Sequence, residues 1–129
     1  DELMSIDVRD AAPGDRLPLF VERLADRAPF LWEHGCLIGG LATEMALASD
    51  TLQRTVALQF DQFAALIARL AAPFVESAPH KGLSATALAQ DLLALIEGAI
   101  VLSRAHRDPH RIRAALERYA SSLRLLQGS

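Results

Sequence analysis

The stretch SATALAQDLLALIEGAIVLSRAHRDPHRIRAALERYASSLRLL, residues 84–126, decides the fold. In its first half Leu88, Leu92, Leu95, Ala99 and Leu102 fall on one stripe at helical spacing, and Leu93, Ile96 and Ile100 fall on an adjacent stripe. More than half the circumference of that helix is apolar, so it needs cover from two sides. Ser84 stands where an N-cap belongs, and Leu83 before it is placed to staple against Leu88. In the second half Asp108 caps and Pro109 takes the first helical position, after which Ile112, Leu116, Tyr119, Leu123 and Leu126 recur in heptad-like steps. Two successive helices with wide apolar faces exceed what three short partners can cover. The pair is therefore expected to pack against a second copy of the chain as a four-helix bundle. Its seam would draw on Leu92, Leu95, Ala99, Leu102, Ile112, Leu116, Tyr119 and Leu123.

Three further helical segments precede this pair, and no strand periodicity appears. The first follows Pro13-Gly14-Asp15, carries Leu17, Phe20, Val21 and Leu24 on one face, and is expected to end at Pro29, whereas Pro18 falls in the tolerant opening turn. The second starts near Gly35-Cys36 and presents Ile38, Leu41, Met45 and Ala48 together, with Gly39 and Gly40 leaving room for a neighbouring backbone or a ligand. The third opens with Asp50-Thr51-Leu52-Gln53, which reads as a capping box with Asp50 as the cap. Leu52, Val56, Phe60, Phe63, Ile67, Leu70 and Phe74 then share one side, Arg54, Asp61 and Arg69 lie opposite, and Pro73 is expected to kink or end the helix. The predicted fold is thus an all-α bundle of about five helices.

Composition agrees with that class. The chain has 129 residues, the size of one domain, and at that length folding buries roughly two-thirds of the unfolded surface. Apolar residues make up 51% but aromatics only 5%, so alanine and leucine dominate, and both favour helices. A net charge of −3, with the 13 basic residues scattered rather than gathered in a stripe, argues against this chain gripping phosphates by itself. Cys36 is the only cysteine, which excludes an intrachain disulfide and suits a reducing compartment. No apolar run approaches the roughly 20 residues of a membrane span, and DELMSIDVRD has neither a basic start nor an apolar signal core, so a cytoplasmic, membrane-free protein is expected.

Gly35-Cys36-Leu37-Ile38-Gly39-Gly40-Leu41-Ala42 with Glu44 just after, and the later Leu95-Ile96-Glu97-Gly98-Ala99, resemble the C-terminal domain of TetR-family transcriptional regulators, most of all the LmrA/YxaF-like subgroup. The likeness runs from about Asp15 to the end and includes the Arg107-Asp108-Pro109 start of the last helix. It implies a bacterial repressor in which a three-helix DNA-binding domain precedes a larger helical domain that dimerises and binds an inducer. On that basis residues 1–14 are expected to be the remnant of the linking helix and its loop, and residues 15–129 the ligand-binding and dimerisation domain. Operator DNA would be contacted only through the N-terminal part that this sequence does not carry. Gly40 departs from the subgroup, where a more polar residue is expected, and so weakens any inherited polar ligand contact there.

Phe20, Trp32, Met45, Phe60 and Phe63 are the candidate pocket walls, since aromatic and Met side chains adapt to apolar guests, although each also serves as ordinary core. Their chemistry favours a small apolar or aromatic inducer. Glu97 lies within the apolar run Leu92 to Leu102, where a carboxylate must be paired or must hold a ligand; on a helical wheel it also falls on one polar line with Gln90 and Arg104, as a structural ion-pair row would. His34 reads as a loop histidine and Cys36 as a small buried thiol without a resolving partner. His106 and His110 are separated by the helix start at Pro109 and do not share a face as zinc ligands would. No Glu-x-x-His pair, Cys/His dyad or glycine loop after a strand is present, so neither catalysis, a metal nor a cofactor is expected. The competing readings are a helical dimerisation module without a ligand and a helical metal or redox protein.

Overall fold

A computed structural model of the chain describes residues 5–35 and 48–128. Its helices are α1 (Arg16–Asp26), α2 (Ala28–His34), α3 (Asp50–Ser77), α4 (Ala85–Ala105) and α5 (His110–Leu126), with a 3-10 turn at Pro13–Asp15 ahead of α1. No strand occurs among the described residues. The second segment expected from sequence, beginning near Gly35 and carrying Gly39, Gly40 and Met45, lies almost wholly outside them.

Helix α1 ends at Asp26, and Pro29 opens a new helix instead of closing the old one. In the first turn of α2 its missing N–H falls where a helix has no partner for that group anyway. The cap of α3 lies one residue ahead of the expected position: the Ser49 hydroxyl accepts from the Leu52 amide at 3.3 Å, and Asp50 becomes the first helical residue, with its charge at the positive end of the helix dipole. Pro73 does not stop α3. The helix runs one more turn to Ser77, because Ala71 and Phe74 are both fully buried and keep that turn docked. Ser84 caps α4 as expected, accepting from the Ala87 amide at 3.1 Å.

The link between α4 and α5 is a Schellman turn. The Asp108 amide reaches back to the Ser103 carbonyl at 2.9 Å and the Arg107 amide to the Arg104 carbonyl at 3.2 Å, which places Arg107 in the left-handed region at φ 52°. The Asp108 carboxylate then accepts from the His110 amide at 3.1 Å and starts α5, in keeping with the expected Asp-Pro cap.

Helices α1 and α5 pack along each other, α4 packs on both α3 and α5, and α2 bridges α4 and α5. Leu17, Phe20, Val21 and Leu24 of α1 meet Phe63, Ile67 and Phe74 of α3, Leu92, Ile96 and Ile100 of α4, and Ile112, Leu116 and Leu123 of α5 in a single core. Burying each such side chain contributes roughly 1.5–3 kcal/mol. Helix α4 is also long and apolar enough to cross a membrane by length and composition, which the sequence reading did not anticipate. A core helix with contact partners on two sides passes the same test, and α4 packs on two neighbours.

Candidate functional site

Two regions are candidates for a functional surface: the aromatic corner where α2 meets α4 and α5, and the outer face of α4. At the corner Trp32 is half-buried against the core. With Ala28, Pro29, Glu33, Pro109, His110 and Arg113 it lines a groove of about 540 Å³. The chain leaves α2 at Gly35, whose φ of 67° and ψ of −160° exclude most side chains. A second constraint acts on the same residue. A Cβ on Gly35 would stand 2.7 Å from Arg104 Nη2, because that guanidinium lies over the glycine and donates to the Trp32 carbonyl at 3.3 Å. Arg104 thus serves an end carbonyl of α2 from the last turn of α4, where the negative end of the α2 dipole favours a cation. This contact escaped the sequence reading, which placed Arg104 only on a polar line. Nothing local in the sequence signals that a glycine at position 35 faces an arginine at position 104.

The candidate pocket residues separate by depth. Phe20 and Phe63 are buried and belong to one core, whereas Trp32 and Phe60 are half-buried on α2 and α3. Met45 lies outside the described residues. Glu97 is half-buried on α4, between exposed Gln90 and exposed Arg104 on its line.

The residues expected at a dimer seam also divide. Leu92, Ile112, Leu116 and Leu123 are at most 1% exposed and fill the chain's own core. The physical reason is helical phase: Leu92 lies on α4, which packs between α3 and α5, and Ile112, Leu116 and Leu123 lie on α5, which packs on α1 and α4. Ala99 is buried as well, Leu95 and Tyr119 are half-buried, and Leu102 is 53% exposed. Beside Leu102 stands Val101 at 62%, which was not singled out from sequence. Gly98, one turn earlier, has open space where a Cβ would be. The two faces of α4 are thus both apolar, and among the described residues Val101 and Leu102 mark the face left exposed.

Tyr119 joins the last two helices through its hydroxyl, which donates to the Leu88 carbonyl at 3.1 Å. Burial, with a smaller contribution from the Asp91 charge, pushes its phenol up to about 12. His106 and His110 are both exposed, and no cluster of three or more metal-ligating side chains occurs among the described residues.

No curated protein and no solved structure matches the chain. A family model described as the C-terminal domain of LmrA/YxaF-like transcriptional regulators matches residues 13–118.

Proposed function

The chain belongs to that TetR-type family of regulator C-terminal domains, and on this premise we propose that it is the inducer-binding and dimer-forming half of a bacterial, cytoplasmic transcriptional repressor. DNA is contacted by a part of the protein N-terminal to this domain. The observation that carries the dimer is the outer face of α4, where Val101 and Leu102 are more than half exposed although the opposite face already fills the core. Two such faces brought together by a two-fold axis would bury apolar surface that one chain leaves in water. The seam then uses Leu95, Val101 and Leu102, with Gly98 allowing close approach.

The inducer is a small apolar or aromatic molecule held beside Trp32, Phe60 and Phe63, over a floor that includes Phe20, with Met45 as a further wall and Glu97 able to favour a cationic centre. A guest of this kind alters DNA binding only as far as it prefers the non-repressing arrangement. Sedimentation of the chain at micromolar concentration tests the first half. A dimer is expected, and Leu102→Asp should give a folded monomer that keeps its helical circular dichroism and melts lower by the lost association, whereas a monomeric wild-type chain removes the seam. Matched cationic and neutral aromatic ligands followed through Trp32 fluorescence test the second half. Phe63→Ala should weaken a confirmed ligand, and Glu97→Gln should weaken only the cationic one.

A further inference from the structure

The segment ahead of α1 is fastened to that helix by two arginines. Arg16 and Arg23 lie seven residues apart on α1 and share one face. The Arg23 guanidinium donates to the Asp7 carbonyl and forks onto both carboxylate oxygens of Asp10, at 3.2 and 3.1 Å. Arg16 Nε donates to the Ala11 carbonyl at 3.1 Å. Under these contacts Val8 is 5% exposed and joins the core, while the Ala11 amide closes a turn onto the Val8 carbonyl at 3.1 Å. The Arg23 guanidinium also holds the Asp10 carboxyl below its ordinary range.

A different set of contacts ties α1 to α5. Glu22, next to Arg23 and so turned about 100° round the helix, accepts from Arg124 at 2.8 and 3.3 Å. Asp26 accepts from Arg113 at 3.3 Å, and Gln127, just past α5, donates to Asp15 at 2.9 Å and to the Gly14 carbonyl at 3.2 Å in the turn ahead of α1. Pairs this exposed contribute little stability one by one. Their arrangement fixes geometry instead, with α1 held on one side by the leading segment and on the other by α5.

We propose that α1 is a relay: Arg23 clamps the leading segment to α1, the Glu22–Arg124 pair clamps α1 to α5, and the three move as one body. Arg23 and Glu22 are then positioning residues for the leading segment, residues 5–12. The regulatory meaning of the relay rests on the domain reading above, but the mechanical claim does not. In a regulator of this kind, a movement of α5 would reach the N-terminal part through α1, and an inducer would act by shifting the remaining elements against this body.

Amide hydrogen exchange of the 129-residue chain tests the relay without DNA or ligand, so its failure is distinct from failure of the regulatory reading. The reporter is the leading segment, residues 5–12, with the Ala11 amide as its centre. Arg23→Gln should speed exchange there about tenfold, Glu22→Ala about threefold from the far side of the helix, and the double variant no more than Arg23→Gln alone, because coupled sites are not additive. Unchanged melting temperatures would show that each variant still folds, and Arg23→Lys should recover part of the protection. Exchange indifferent to Arg23→Gln removes the clamp. Exchange indifferent to Glu22→Ala, or a double variant equal to the product of the singles, removes the relay.

Discussion

Replacing Tyr119 by Phe should reverse its effect on stability as the pH rises. Near neutral pH the substitution removes one hydroxyl that donates to the Leu88 carbonyl at 3.1 Å. That carbonyl keeps its place in the helical ladder, so no acceptor is orphaned and the cost is about 1 kcal/mol. Alkali acts in the opposite sense. The phenol is held up to about 12 against an ordinary value of 10.0, first by burial and then by Asp91. A raised folded value means that the stabilisation is complete below pH 10 and is lost as the pH climbs through 12. Two units correspond to at most about 2.7 kcal/mol, and because Tyr119 is only half-buried, solvent screening reduces this to roughly 1–2 kcal/mol. The wild-type chain should therefore fall level with Tyr119→Phe, or below it, by about pH 12, after leading it by about 1 kcal/mol near pH 7. Tyr119 is the only tyrosine, so tyrosinate absorbance reports its titration directly, while urea unfolding followed through the single tryptophan gives the stabilities. An absorbance midpoint near 10, or stability curves that decline in parallel, would refute the burial argument.

Two backbone positions give further tests. Arg107 sits in the left-handed region that glycine occupies without cost, so Arg107→Gly should stabilise the chain by about 0.5–1 kcal/mol in urea unfolding, with an unchanged dependence on denaturant. Gly35→Ala should destabilise by about 1–3 kcal/mol, and adding Arg104→Ala should restore only the share that comes from the 2.7 Å approach of Arg104 Nη2, leaving the backbone share in place.

The sequence by itself determined the helical class and the starts of α1, α4 and α5. Ser84 and the Asp108-Pro109 pair are local signals, and local hydrogen bonds to their own backbone neighbours carry them out. The core side of α3 was equally legible, because the steps from Val56 through Phe63 and Ile67 to Phe74 keep helical phase. Pro29 begins a helix and Pro73 lies inside one, and neither place is legible locally: a proline breaks or begins a helix according to what its flanks bury, and burial is a tertiary quantity. The same holds for α4 and α5. A helix apolar over most of its circumference shows in sequence that it needs two partners but not which face meets which one. Only the packed chain decided that Leu92, Leu116 and Leu123 turn inward and leave Val101 and Leu102 in water. The contacts of Arg104 with Gly35, of Arg23 with Asp10 and of Arg124 with Glu22 were invisible for another reason. Charged side chains on exposed helix faces carry no periodic signature, and which pairs meet depends on how the helices cross.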